Sequence, residues 1–393
     1  MQTAVTTVPF EAMSAAGRAL IVDEGRTWST LCAARSLAKA GWSVSVGSPG
    51  ARGLTASSRV VSSRHDVPTL AGGIEGFTDG VRQALIDSGA DIVFGGGDAE
   101  VHALSLERDH LPAIVPYPAG PAVVRAFDKL ELTRAAVRCG LEAPMTMDAP
   151  EHIDVEGPVL VKARQHWGPA SENGATRLEA SVQTGRVAIA ERVAEMRRDG
   201  GAPILQEQLV GDNLSFISLR GHDGRTLGTE YHQVDHRWPV SAGWTVRAHT
   251  LPIEPDLARG VERLLADLDW VGLAELEFIR GDDGTPRLID FNGRFYGSMQ
   301  LAVSAGVNFP LLWAQDAIGA QPDPAPPARV GVRFQRFGGD LRRSLHERRD
   351  GFRRDFFDTL AYGVGASHSV ASIRDLPPGF VYLREALRDM WLG

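Results

Sequence analysis

Cysteine is scarce in this chain of 393 residues, in which Cys32 and Cys139 are the two present. Two isolated cysteines in predicted helical segments supply neither a disulfide framework nor the spacing of a zinc site. We therefore expect buried thiols in a reducing compartment. A run of about eighteen apolar residues is also missing, and residues 1–16 lack the basic start of a secretory signal. The sequence thus predicts a cytoplasmic protein with no membrane partner.

An excess of positive charge is missing too, because 41 lysines and arginines face 49 aspartates and glutamates, for a net charge of −8. Nucleic-acid-binding domains are usually strongly basic, so nucleic acid is not expected as a partner. The GxGxxG and GxxxxGK phosphate-binding motifs do not occur, which disfavours a nicotinamide-dependent dehydrogenase. With 43% hydrophobic residues, the chain can build sizeable cores in two or three domains.

Short apolar segments alternate with amphipathic ones in the first part of the chain. We predict strands at 18–23, 43–46 and 91–94 and helices at 27–40 and 76–88. This alternation is typical of a parallel sheet covered by helices. Gly95–Gly97 follow the third strand as a tight turn. Asp98 comes next, at the edge of the sheet where substrates of such folds bind.

The second part mixes further helices and strands. We predict helices at 127–140, 185–198 and 256–267, and strands at 159–163, 203–210, 214–219 and 226–234. A proline-rich linker at 321–328 precedes the C-terminal segment, whose last helix is expected to dock on a neighbouring domain. Nine arginines lie between 329 and 354, interleaved with acids. Such a mixed face is usually solvated, and an anion-binding or oligomer surface is the alternative.

Residues 274–294 predict a β-hairpin that collects polar groups on one face. If Arg280 faces Arg287, then Glu277 lies opposite Asp290 and Glu275 lies opposite Asn292. Side chains directly opposite in a sheet are about 5 Å apart at Cβ, so two carboxylates repel unless a cation lies between them. Mg²⁺ prefers such oxygen ligands and is usually completed by phosphate oxygens. Arg294 could then meet a phosphoryl group, whereas a plain solvated hairpin is the alternative.

The run from Asp290 to Ser298, together with Glu277, resembles the metal-binding signature of the ATP-grasp superfamily, Glu…Glu-x-Asn-Pro-Arg-x-x-Gly-Ser. Within that superfamily the chain is similar to carbamoyl-phosphate-synthase-like and carboligase-like members over roughly residues 18 to 320. The resemblance implies ATP and Mg²⁺ (or Mn²⁺) as cofactors. Asp290 stands where the family has Glu and Gly293 where it has Pro, which shortens one ligand and loosens the turn.

The resemblance also assigns roles to individual residues. It implies that Glu277, Asp290 and Asn292 bind the metal and that Arg294 stabilises the transferring group. Residues expected to bind ATP are Lys129 and Lys162 at the phosphates, the hinge residues Gln206, Glu207 and Leu209 at the adenine, and Asp212 or Asn213 at the ribose. The ribose contact is in doubt, because Asn213 replaces the expected acid or Asp212 displaces it.

The segment 231–244 is interpreted as a substrate-facing loop, in which Arg237 and Gly243 resemble an Arg-x-x-Pro-x-x-x-Gly segment of carboligase-like proteins. An ordinary surface hairpin is the alternative. His232 and His236 are four residues apart, but nearby Pro and Gly argue against a helical zinc pair. Asp98 is the third residue expected near the substrate.

We therefore expect an α/β and α+β protein in four parts. These are a loose N-terminal arm (1–17), a Rossmann-like parallel-sheet domain (18–115), a two-lobed ATP-grasp domain (116–320, with lobes of about 116–204 and 205–320) and a linker with a C-terminal extension (321–393).

The expected activity is ligation of a small-molecule carboxylate to an amine through an acyl phosphate, with a mobile loop near 165–174 and a homodimer left open. A thiol, bicarbonate or carbamate partner and a catalytically silent ATP-binding regulator are the alternatives. The three departures from the family pattern, Asn213, Asp290 and Gly293, favour the regulator.

Overall fold

The structure is a computed structural model that describes residues 16–152, 154–165, 179–239 and 243–392, with side chains through residue 385. Most of the predicted N-terminal arm, most of the predicted 165–174 loop and residues 240–242 lie outside these ranges. Among the described residues, no helix has the length and apolar character needed to cross a bilayer.

The N-terminal sheet has four parallel strands in the order β3-β2-β1-β4. The strands are β1 (Arg18–Val22), β2 (Ser43–Ser48), β3 (Val61–Asp66) and β4 (Ile92–Gly95). The helices are α1 (Trp28–Lys39), α2 (Ile74–Ser88), α3 (Asp98–Leu106), α4 (Gly120–Phe127) and α5 (Lys129–Arg138). The predicted parallel sheet is confirmed. Edge strand β3 escaped prediction because Val61 is its one apolar residue.

A small antiparallel sheet follows, in the order β5-β8-β6-β7. Its elements are β5 (Thr146–Asp148), β6 (Val159–Ala163), β7 (Ser181–Gln183), α6 (Arg186–Arg198) and β8 (Pro203–Glu207). Helix α6 covers one face through Ile189, Val193 and Met196, which pack against Val161 and Leu205. Strand alternation places Lys162 and Gln206 on the opposite face. That face is turned toward the large sheet, as the Lys162 contact described below shows.

A large seven-stranded sheet has the order β13-β12-β9-β10-β11-β14-β15. Its strands are β9 (Asp212–Arg220), β10 (Thr226–Trp238), β11 (Trp244–Thr250), β12 (Gly272–Arg280), β13 (Pro286–Asn292), β14 (Arg333–Gln335) and β15 (Ser367–His368). The remaining helices are α7 (Pro255–Asp267), α8 (Met299–Ala305), α9 (Phe309–Ala317), α10 (Phe337–Glu347), α11 (Phe352–Gly363) and α12 (Pro377–Leu392). Segment 231–244 is mostly strand rather than loop.

The hairpin of β12 and β13 has the predicted register at its functional end. Glu277 pairs with Asp290 and Glu275 pairs with Asn292. The expected Arg280–Arg287 pairing is wrong, because a bulge between Glu277 and Phe278 shifts the register and Arg280 faces Pro286. The extra residue in the bulge is Ile289, which has no register partner on β12.

Six of the nine arginines of the C-terminal segment are exposed, as predicted for a solvated face, but Arg336 and Arg343 are buried. Arg343 is fully buried and bonds to Asp340 at 2.8 Å and to Asp355 at 2.7 Å. Arg247 of β11 also bonds to Asp340, at 2.6 Å. These ion pairs fix α10 and α11 on the large sheet, which β14 extends beside β11.

Candidate active site

Polar side chains occupy one face of the large sheet over four adjacent strands. Two neighbouring rows of residues cross β10, β9, β12 and β13: His232, Ser215, Glu277 and Asp290 in one, and Glu230, Ile217, Glu275 and Asn292 in the next. Because side chains alternate along a strand, residues two positions apart share a face. The sheet therefore gathers four carboxylates, an amide and an imidazole on one surface.

The carboxylates of Glu275 and Glu277 are joined by the Asn292 amide, which donates to Glu275 at 3.1 Å and to Glu277 at 3.0 Å. Burial and the neighbouring charge of Glu277 raise the pKa of Glu275 to about 8. Two acids held this close favour a cation between them.

A buried pair that sequence reasoning missed lies beside these acids. His232 and Glu230 are fully buried, and the His232 Nδ1 lies 2.9 Å from a Glu230 carboxylate oxygen. Burial lowers the pKa of His232, but the carboxylates of Glu230, Glu275 and Glu277 together raise it by more, and the net shift is upward. Its Nε2 lies 3.3 Å from Ser298 Oγ. The available signal was the spacing of Glu230 and His232, which lie two positions apart and so share one face of the strand.

Two lysines reach this face from outside the large sheet and meet consecutive residues of β13. Lys129, the first residue of α5, lies 2.8 Å from Asp290. Lys162 of β6 donates to the bulged Ile289 carbonyl at 3.0 Å. Burial, followed by the charge of Lys129, lowers the pKa of Lys162 to about 7. The two lysines predicted from the sequence therefore converge on β13.

Arg294 lies at the end of the hairpin and is held in a fixed orientation. Its Nε donates to Asp98 at 2.7 Å, and its Nη2 donates to the Asn292 side-chain oxygen at 3.0 Å. Asp98 is the first residue of α3 in the N-terminal domain and is buried. The structure thus brings Asp98 and Arg294 together. Separate sequence predictions place each of them at this site.

The oxygen donors on this face fit a hard divalent cation such as Mg²⁺ or Mn²⁺. Glu277, Asp290 and Asn292 present two carboxylates and an amide side by side. In the part of the chain that the structure describes, no group of three or more His, Cys, Asp or Glu is arranged to hold a metal. A cation bound here would therefore need oxygens from another molecule, which matches the preference of Mg²⁺ for phosphate and water.

The predicted hinge residues lie where β8 leaves the small sheet. The Glu207 N–H donates to the Met145 carbonyl, and the Gln206 side chain donates to Thr146 at 2.8 Å. Leu209 lies between the strands, and within the described ranges its N–H has no hydrogen-bond partner. The Gln206 side chain is therefore engaged with Thr146 of β5, whereas the Leu209 N–H is available to donate to a ligand.

The predicted ribose-binding turn at 211–213 is instead the start of β9, since Asp212 is its first residue. Asn213 shares the face of Ser215, and Asp212 alternates to the other face. Gly211 lies so close to the Arg280 carbonyl that a Cβ would overlap it. Of the two candidates, Asn213 is the one on the polar face.

Arg237 lies beside the polar face, whereas Gly243 is required by close backbone packing. The Arg237 guanidinium lies 3.4 Å from Glu277, beside the polar face. A Cβ on Gly243 would overlap the backbone of Trp238 and Pro239. Gly243 is therefore explained by close backbone contact, whereas Arg237 is positioned as a site residue.

The Trp270 ring fills the space beside the Gly293 Cα, so packing explains a glycine at this position. A Cβ there would overlap the ring, so Gly293→Ala is expected to lower the free energy of unfolding by about 1–3 kcal/mol. Chemical denaturation measures this. Gly157→Ala is the matched control, since no atom lies within 4 Å of its Cβ position. Equal stability of the two variants would contradict the packing argument.

Comparisons with known proteins agree with this geometry. Residues 225–338 match a family model described as "ATP-grasp in the biosynthetic pathway with Ter operon". No curated protein matches the chain in sequence. The matched segment runs from β10 to β14 and includes the whole hairpin.

Several solved structures are similar in fold. An L-amino acid ligase from Bacillus licheniformis has a TM-score of 0.59 at 16% identity, covering 77% of this chain and 74% of its own. An N5-carboxyaminoimidazole synthetase from Staphylococcus aureus has a TM-score of 0.62 at 14% identity, covering 85% and 86%. The biotin carboxylase domain of the Hydrogenobacter thermophilus 2-oxoglutarate carboxylase, solved with MgADP and bicarbonate, has a TM-score of 0.62 at 12% identity, covering 81% and 73%. The chain therefore shares the fold of these enzymes, and its residues 225–338 resemble an ATP-grasp family.

Proposed function

We propose that the protein is an ATP-dependent ligase that activates a small-molecule carboxylate as an acyl phosphate and joins it to an amine, releasing ADP and phosphate. The observation that carries this proposal is the convergence of Lys129, Lys162 and Arg294 on the hairpin whose acids pair in register. Cations surrounding paired carboxylates suit phosphoryl transfer, which depends on positioning and charge stabilisation. The fold shared with an L-amino acid ligase supports the amine as acceptor.

In this proposal the nucleotide binds between the small sheet and the large sheet. Lys129 and Lys162 bind its phosphates, because a lysine ammonium is a compact charge suited to phosphate. The Glu207 carbonyl and the Leu209 N–H bind the adenine edge. Asn213 faces the ribose, which an amide can hydrogen-bond as a donor or an acceptor.

Glu277, Asp290 and Asn292 would hold Mg²⁺ or Mn²⁺, which when bound neutralises charge on the phosphates. Lys129 and Arg237 contact these same carboxylates and balance their charge. The Asn292 amide orients Glu277, and its oxygen orients Arg294. The chain thus fixes the ligands and the arginine in a single hydrogen-bonded unit.

Arg294 would bind the substrate carboxylate and the transferring phosphoryl group, since its planar fork suits both anions. Asp98 keeps the guanidinium charged and aimed at the hairpin. The reaction needs no side-chain nucleophile, because ATP itself activates the carboxylate. A cleft closed by both sheets would exclude water from the acyl phosphate.

The test is Mg²⁺-dependent ADP release from ATP by the purified protein, with pools of amino acids and other small carboxylic acids, followed by mass spectrometry of the products. An amide product with stoichiometric ADP supports the proposal. ADP release that requires bicarbonate or a thiol instead would replace the amine by that acceptor. ATP binding without ADP release from any pool contradicts the ligase and favours a regulatory protein.

The lowered pKa of Lys162 predicts a pH dependence of ATP binding. Above pH 7 the ammonium loses its proton in the free protein, whereas a bound phosphate favours the charged form. Binding above pH 7 therefore takes up a proton, and the affinity for ATP is expected to fall up to about tenfold per pH unit. Calorimetry from pH 6.5 to 8.5 in buffers of different ionisation enthalpy measures both effects.

Lys162→Met is expected to bind ATP weakly with a flat profile over this range. Lys39→Met, at the exposed end of α1, should keep the wild-type slope. A wild-type affinity independent of pH would contradict the placement of Lys162 at the phosphates.

A further inference from the structure

A crevice with a volume of about 440 Å³ lies at the carboxyl ends of β1 and β2. Crevices at this edge of open parallel sheets are where such folds bind ligands. The lining includes four arginines and two glutamates: Arg26, Arg52, Arg64, Arg384, Glu24 and Glu385. We call it the arginine crevice.

The floor of the arginine crevice is a contact between two glycines. The Leu54 N–H donates to the Gly25 carbonyl at 2.7 Å, and a Cβ on Gly53 would lie 2.5 Å from the Gly25 Cα. Both glycines have positive φ, 87° at Gly25 and 132° at Gly53. Arg26 follows one glycine and Arg52 precedes the other. Because these two glycines are in contact, Arg26 and Arg52 both lie at the floor of the crevice.

The crevice carries an excess of positive charge that the protein does not neutralise locally. In the described part of the chain, none of its four arginines forms an ion pair with a carboxylate. The Arg64 guanidinium donates to the carbonyls of Ala56 and Ser58, which keep it in place without cancelling its charge. A concave site whose lining carries a net excess of one sign of charge, here four arginines against two glutamates, attracts the opposite ion.

The C-terminal helix closes the crevice from the opposite side. Val381, Arg384 and Glu385 of α12 form this wall. Asp375, just before α12, accepts from Arg35 at 2.9 Å and from Ser58 at 2.6 Å. These bonds tie α12 to the N-terminal domain, so the crevice is built by two distant parts of the chain.

The crevice lies close to the turn that precedes Asp98, because a Cβ on Gly96 would lie 2.7 Å from the Cβ of Asp23, the residue before Glu24. Burial and the nearby charge of Glu24 raise the pKa of Glu100 to about 8. The Asp98 charge also acts on Glu100, and Asp98 is the carboxylate that holds Arg294. Glu24 therefore lies near both the crevice and the acids behind Arg294.

We propose that the arginine crevice binds a phosphate or carboxylate group of the compound that the enzyme ligates. The role in ligation rests on the proposed function, whereas anion binding itself does not. Arg26 and Arg52 donate to the anion, and Arg384 completes the site from α12. Such charge-assisted bonds give an anion both affinity and orientation. The rest of the compound then extends past Glu24 toward Arg294.

The test is calorimetric titration of the full-length protein with inorganic phosphate and, separately, with malonate, in the absence of ATP. The variants are Arg26→Gln/Arg52→Gln and Arg384→Gln, and the control is the exposed Arg59→Gln, which lies outside the crevice. The lysines of the cleft are present in every variant, so the difference isolates the crevice. Thermal unfolding verifies that each variant is folded.

Binding of either anion is expected to weaken about tenfold or more in the double variant and in Arg384→Gln, and to stay unchanged in Arg59→Gln. The tighter of the two anions indicates whether the ligand carries phosphate or carboxylate. Equal affinity in wild type and double variant, or no binding of either anion, overturns the proposal. Anion binding without ADP release from any substrate pool would contradict the ligase function but would still support anion binding in the crevice.

Discussion

Replacing Arg294 with alanine is expected to reduce substrate-dependent ADP release by about a thousandfold or more. An arginine that stabilises the charge of a transferring phosphoryl group contributes effects of this size. The expected loss lies in kcat rather than in ATP affinity, because in the proposed function the lysines and the hinge backbone bind the nucleotide without Arg294. Steady-state kinetics together with equilibrium ATP binding separate the two quantities.

The matched control is Arg134→Ala on α5, where the guanidinium is exposed and pairs with Glu131 three residues earlier. That variant should keep wild-type kinetics. A rate near wild type for Arg294→Ala would remove Arg294 from the reaction. A parallel loss of ATP binding would instead assign it to the nucleotide.

Replacing Arg343 with glutamine is expected to lower the free energy of unfolding by about 3–5 kcal/mol, as breaking a buried ion pair does. The substitution removes a charged donor from Asp340, Asp355 and Glu347 at once. Chemical denaturation at pH 7 measures the loss. Arg353→Gln, an exposed neighbour in the same segment, should stay within about 0.5 kcal/mol of wild type. Similar stability of both variants would contradict the buried network.

The same network predicts how the stability difference between wild type and Arg343→Gln depends on pH. Burial alone would raise the pKa of Asp340, but the nearby His236 ring and hydrogen bonds from Arg247 and Arg343 lower it from 3.8 to about 2. A carboxyl with a lowered pKa stabilises the folded state above its ordinary value, and this contribution is lost as the pH falls toward 2. The stability difference between wild type and Arg343→Gln should therefore narrow between about pH 4 and pH 2.

Local sequence was sufficient for the functional end of the hairpin. Glu275, Glu277, Asp290 and Asn292 alternate with apolar residues, and alternation alone fixes which side chains share a face. The Arg280–Arg287 pairing failed, because Leu288 and Ile289 are consecutive apolar residues that interrupt the alternation. The bulge there gives Lys162 its carbonyl partner. The interrupted alternation at Leu288 and Ile289 thus coincides with the bulge whose carbonyl Lys162 contacts.

Features that depend on distant partners could not be predicted. Burial of Arg343 requires acids on two helices and the support of Arg247 on β11. No local sequence pattern indicates that these residues come together. Gly293 is explained only once Trp270 is placed beside it. Likewise, β3 is mostly polar and is identified by its pairing with β2. In each case the deciding interaction is made by residues far away in sequence.

The position of β14 has a consequence for synthesis of the chain on the ribosome. β11 is made well before its neighbour β14, so the growing large sheet ends in an unpaired strand until residues 333–335 emerge. Exposed strand edges recruit other chains, and partly synthesised proteins are vulnerable to such pairing. We therefore expect a stop codon placed before Arg333 to yield aggregates rather than a soluble shortened protein, although the whole hairpin of β12 and β13 would be present.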